Sequence, residues 1–126
     1  MKKVLIVDDF AYNLEFEEKV ILSLMKEYHI KIQIDTAMNV YEAVKMIKEN
    51  RGYDVLVVDM NLPDGSGSEI AKEALAQRRQ TRIAALTLYP EEYQQHQDLF
   101  DLVIRKPVMP TRYKEDFKYL LGIDDA

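Results

Sequence analysis

The chain of 126 residues contains no cysteine. That absence excludes disulfide frameworks, thiolate metal sites and thiol nucleophiles together. Histidine is nearly as scarce: His29 and His96 are too few for a multi-histidine zinc site. No apolar stretch approaches membrane-spanning length. The opening residues place Asp8 and Asp9 straight after a short apolar run, without the longer apolar stretch and small-residue cleavage site of a secretory signal. Basic residues are not in excess, with 17 Lys and Arg against 22 Asp and Glu and a net charge of −5, which argues against direct contact with nucleic acid. There is no repeat, low-complexity segment or linker. What is present is ordinary globular composition, 48% hydrophobic and 31% charged, in a length that suits one domain with its own core. The expectation is a cytoplasmic, soluble single domain over residues 1–126, with no membrane contact and no output domain in this chain.

Five short apolar runs recur at wide intervals: Val4–Val7, Ile30–Ile34, Val55–Val58, Ile83–Leu86 and Leu102–Ile104. Segments of helical period lie between them. Val20, Ile21, Leu24, Met25 and Tyr28 share one helical face, with Glu17, Glu18 and Lys26 off it. His29 falls at the end of that helix. Val40, Ala43, Val44 and Ile47 define a second helix. Ser66 followed by Glu69 is a capping signal for a third. A polar fourth segment runs from Pro90 to Asp98 and carries a solvated His96. Tyr113, Phe117, Leu120 and Leu121 are the core stripe of a last helix from Pro110, with Gly122 as its stop and Tyr119 off the stripe.

Strands alternating with helices imply parallel βαβ units with right-handed crossovers. Val4–Val7 and Val55–Val58 are apolar throughout, as in central strands covered on both faces. The second run alternates and the fifth is short and charge-flanked, so both belong at edges. These features fit an α/β, flavodoxin-like, doubly wound five-stranded parallel sheet of order 2-1-3-4-5 with five helices. In such a sheet ligands bind beyond the carboxyl ends of the strands. Those ends carry Asp8 and Asp9, then Asp59, Met60 and Asn61, then Thr87, then Lys106 and Pro107. Gathered carboxylates either retain a proton or take up a cation, and hard oxygen donors suit magnesium. Singly, each residue is common at a strand end. Jointly, an acid pair, a third acid, a hydroxyl and a lysine on one edge point to a site.

With these residues in place, the chain resembles the receiver domain of two-component response regulators from Val4 to Leu121. The resemblance is carried by Val4 to Asp9, by Val57 to Gly67 and by Lys106-Pro107. It implies that Asp59 accepts a phosphoryl group from a sensor histidine kinase or histidine phosphotransfer protein. It also implies that Asp8, Asp9, Asp59 and the backbone carbonyl of Asn61 hold Mg2+. Thr87 would hydrogen-bond the phosphoryl oxygens and Lys106 would pair with them. Such a domain is a switch acting on an output partner protein through its helix 4, strand 5 and helix 5 face. It is not a turnover enzyme, beyond its own Mg2+-dependent phosphorylation and dephosphorylation.

Two positions depart from the family pattern. Leu88 stands where a small residue usually follows the hydroxyl, and it is expected to narrow access. Val103 stands where an aromatic usually precedes the lysine by three residues, with Tyr89 as a candidate substitute. The short spacing from Thr87 to Lys106 predicts a shortened or distorted fourth helix that starts at Pro90. These departures leave a second reading, a receiver-like module that binds its partner without phosphorylation. A third reading, a phosphatase with an aspartate nucleophile, needs a general acid two residues after the nucleophile, where Asn61 stands.

Overall fold

The computed structural model describes residues 1–96 and 98–123. Its main sheet contains β1 (Lys2–Val7), β2 (Ile32–Ala37), β3 (Val55–Asp59), β6 (Arg82–Thr87) and β7 (Leu102–Arg105), all parallel, in the order β2-β1-β3-β6-β7. The expected numbering 2-1-3-4-5 is displaced by one extra feature. Asn61–Leu62 and Gly65–Ser66 pair as a two-residue antiparallel ribbon, β4 and β5, around a Pro63-Asp64 turn. The expected fully apolar strands β1 and β3 are central, and the strands expected at edges, β2 and β7, lie there. Strand β2 runs later than the expected Ile30–Ile34. The Ile30 N–H is used on the Met25 carbonyl at the end of the preceding helix, and pairing with the six residues of β1 draws Asp35 and Thr36 into the strand despite their polarity.

Among the described residues four α-helices flank the sheet: α1 (Ala11–Tyr28), α2 (Val40–Glu49), α3 (Gly67–Gln77) and α4 (Pro110–Leu121). The expected fifth helix is instead a 3₁₀ helix over Pro90–His96. That segment starts at Pro90 as expected. Its sequence carries little apolar surface besides Tyr93, which packs against the core, and short 3₁₀ turns suit such a connector. The expectation for the His96 side chain falls outside the described residues. Among the described residues no helix is long and apolar enough to cross a membrane.

Strand alternation sends Val4 and Ile6 to one face and Leu5 and Val7 to the other. The first face is covered by α1 and α4, through Leu14, Ile21, Leu24, Tyr113, Phe117 and Leu120. The second is covered by α2 and α3, through Ala43, Ile47, Ile70 and Ala74, with Tyr93 and Phe100 meeting edge to face at 6.4 Å. Helix ends obey local chemistry. Asn39 accepts the Glu42 N–H at the start of α2, and the Ser66 hydroxyl accepts the Ser68 N–H at the start of α3. His29 and Gly122 close α1 and α4 in the left-handed conformation, at φ 55° and 75°. Arg78, just past α3, pairs with Asp54 at 3.0 Å.

Gly67 lets α3 dock beneath the carboxyl end of β3. A β-carbon there would stand 2.8 Å from the Asp59 carbonyl oxygen and 2.8 Å from the Met60 sulfur. The first neighbour is backbone and has little room to yield. Gly67→Ala is expected to cost about 1–3 kcal/mol in urea unfolding, the usual penalty of overpacking. An unchanged midpoint would show that the close approach is not a constraint.

Candidate functional site

One local device fixes the site side chains at three strand ends. Asp8 Oδ1 accepts the Phe10 N–H at 2.9 Å, Asp59 Oδ1 accepts the Asn61 N–H at 3.0 Å, and Thr87 Oγ1 accepts the Tyr89 N–H at 3.0 Å. Each is a side chain turning back to the amide two residues on, a turn that Asp and Thr favour. In each case the strand stops, the chain turns, and the side chain stays at the sheet edge. Asp8, Asp59 and Thr87 are almost completely buried. The turn after β3 is tethered further, because Asp64 accepts the Val40 and Tyr41 N–H groups at 2.7 and 3.0 Å and so caps α2.

The strand order brings Asp8, Asp9 and Asp59 together, with a carboxylate oxygen from each within 4.8 Å of the others. Lys106 enters from the end of β7. Its Nζ lies 2.7 Å from Asp59 Oδ2 and 3.8 Å from Asp8 Oδ2. The first is a charge-assisted hydrogen bond and the second only a Coulombic contact. The Lys106 N–H also bonds the Thr87 carbonyl at 2.8 Å, which ties the lysine-bearing turn to the hydroxyl-bearing strand. Asn61 is exposed at the start of β4. Burial pushes the Asp8 carboxyl above the ordinary carboxylate range, partly offset by the Phe10 amide and Lys106. The three carboxylates, each with an oxygen available to the cluster, form a donor set that fits a small hard cation.

Two residues escaped the sequence reading. Asn13 donates its side-chain amide to both Asp8 oxygens, at 3.3 and 3.2 Å, and so orients that carboxylate. Glu17, expected on the solvated face of α1, is only 2% exposed. Its spacing from Leu14, Ile21 and Leu24 places it on their buried stripe, and that spacing was the available signal. Neither Glu17 oxygen completes a hydrogen bond, although the Tyr113 hydroxyl lies beside it. Glu17 lines a cavity of about 410 Å³ with Asp8, Lys106 and Leu88. Leu88 is half exposed on the wall of that cavity. Val103 is partly buried in the α2 and α3 core, where Tyr93 and Phe100 supply the aromatic packing. Tyr89 is half exposed.

Burial raises the Glu17 carboxyl from 4.5 to about 8. The folded chain therefore holds a proton that the unfolded chain has already released between those values. Its contribution must fall as pH rises through that window. Glu17→Gln, which cannot ionise, is expected to flatten the decline in urea midpoint between pH 5 and 9. Parallel declines in both proteins would contradict a buried, late-titrating Glu17.

Residues 4–115 match the family model described as the response regulator receiver domain. Solved structures agree. The chemotaxis response regulator CheY4 of Vibrio cholerae is 25% identical, with 95% of this chain and 98% of that chain covered and a TM-score of 0.80. The response regulator TrrA of Thermotoga maritima, solved in complex with Mg2+ and BeF, is 31% identical over 95% of this chain and 99% of that one, with a TM-score of 0.71. A two-component response regulator from Clostridium difficile, 22% identical, shares the fold over the whole of both chains with a TM-score of 0.81. No curated protein matches in sequence. A family match over most of the chain, on a parallel sheet whose carboxyl edge gathers three aspartates, a threonine and a lysine, makes this chain a member of the response regulator receiver domain family.

Proposed function

We propose that this receiver takes a phosphoryl group onto Asp59 from a phosphohistidine on a sensor kinase or phosphotransfer protein. The observation that carries the reading is the 2.7 Å contact between Lys106 Nζ and Asp59 Oδ2 at the edge of the acidic cluster. A carboxylate attacking a phosphorylated imidazole brings two anions together, so transfer depends on positioning and charge neutralisation. Asp59 is held in place through Oδ1 by the Asn61 amide. One Asp59 oxygen forms the new bond to phosphorus. The phosphorus–nitrogen bond breaks, and the leaving imidazole nitrogen keeps the electron pair. Lys106, already paired with Oδ2, faces the charge that develops on the phosphoryl oxygens.

Asp8, Asp9, Asp59 and the Asn61 carbonyl would hold Mg2+, with Asn13 fixing the Asp8 carboxylate. The ion would supply electrostatic shielding between the acceptor and the incoming phosphoryl group. Thr87 accepts the Tyr89 N–H but keeps its own hydroxyl proton free to donate. Turning that hydroxyl to a phosphoryl oxygen would draw Tyr89 and the 3₁₀ segment with it. The exposed Arg105–Glu91 contact at 3.3 Å links that segment to β7. This is how phosphorylation would reach the face formed by Pro90–His96, β7 and α4, where an output partner docks. With Val103 in place of an aromatic, the coupling would run through Thr87 and Tyr89. The chain catalyses only its own phosphorylation and dephosphorylation and acts in the cytoplasm.

Incubation with acetyl phosphate and magnesium is expected to add one phosphoryl group to the intact mass, and a chelator should abolish the gain. Asp59→Asn should remain unmodified; a fully modified Asp59→Asn protein would overturn the assignment. Lys106→Met should slow the transfer by about 10²–10³-fold, the usual loss on removing one transition-state donor. An unchanged rate would remove Lys106 from the chemistry.

A further inference from the structure

We propose that the cavity between α1 and the β7–α4 connection binds a small amphipathic amine, with its ammonium group against Glu17 and its apolar body against Phe16, Leu86 and Val108. The cavity's volume, about 410 Å³, falls within the range of small-molecule sites. Its walls are mainly apolar, with Phe16, Leu86, Leu88 and Val108 among them. The polar groups on its wall are not equivalent. Lys106 is committed to Asp59, and Asp8 accepts from Phe10 and Asn13. Glu17 alone among them is buried with both oxygens lacking a hydrogen bond. The neighbouring Tyr113 hydroxyl has one proton to give, so even a completed bond to it would leave the second oxygen without a donor. A buried carboxyl in that condition is costly unless a ligand satisfies it. A neutral polar ligand would supply a donor but no charge, and an anion would face Glu17 and Asp8 together. A primary ammonium supplies three donors and a positive charge that favours the ionised form of Glu17.

The site stands apart from the phosphoacceptor reading, because it rests on Glu17 and is tested by binding alone. The test titrates the full chain, near pH 8 and in excess magnesium, with 2-phenylethylammonium, 2-phenylethanol and phenylacetate. Amide chemical shifts are followed in the wild-type protein and in Glu17→Gln. Saturable shifts at Phe16, Glu17 and Val108 are expected with the ammonium compound. Its affinity should be about tenfold or more above that of the alcohol, the scale of a charge-assisted over a neutral hydrogen bond, with no saturation by phenylacetate. Glu17→Gln should lose that preference while keeping a folded amide spectrum. Equal binding of the ammonium compound and the alcohol to wild type would overturn the proposal. So would shifts confined to Asp9 and Asp59, which would place the cation in the acidic cluster, or no saturable binding at all. The ligand series on wild type decides the matter even if the variant does not fold.

Discussion

Three aspartate carboxylates crowd one end of the sheet, and Lys106 answers them. The 2.7 Å contact between Lys106 and Asp59 is the interaction on which the arrangement depends. Without a positive charge there, buried carboxylates at this spacing would repel one another or retain protons. A buried ion pair is a poor stabiliser, because its desolvation cost rivals its attraction. Its presence here is better understood as a local compromise that keeps an acidic cluster folded and available.

The rest of the fold holds that pair in register. β1 and β3 are adjacent and central, so Asp8 and Asp59 emerge side by side. β6 lies next to β3, and β7 next to β6, which places Thr87 and Lys106 on the same edge. The side chains of Asp8, Asp59 and Thr87 each turn back onto an amide two residues later, so the strand ends are shaped by the functional residues themselves. Gly67 and Asp64 secure the turn after β3 from below and from α2. The two apolar layers give this edge a rigid support, and Tyr93 anchors the 3₁₀ segment beside Thr87 to one of them.

Much of this was legible in the residues. Uninterrupted apolar runs marked β1 and β3, because a strand covered on both faces has no wet side. Pro110 and Gly122 marked the ends of α4, because each constrains the backbone in a way a helix terminus uses. The polar residues after each strand marked the site, because parallel topology sends all those ends to one edge. Other features were hidden for physical reasons. Pairing with β1 set the bounds of β2 against the local pattern. The 3₁₀ geometry of Pro90–His96 depends on how little apolar surface the segment can bury. Glu17 read as solvated because carboxylates are rarely buried, although its helical spacing placed it among Leu14, Ile21 and Leu24. Asn13 carried no motif at all, and only the fold brings its amide to Asp8.

In the proposed assignment the lysine-paired Asp59, and neither of its acidic neighbours, carries the phosphoryl group. Borohydride reduction of the phosphorylated chain converts an aspartyl phosphate into homoserine, which peptide mass spectrometry then locates. Homoserine is expected at position 59, with unmodified aspartate at positions 8 and 9. Homoserine at Asp8 or Asp9, with Asp59 intact, would contradict it.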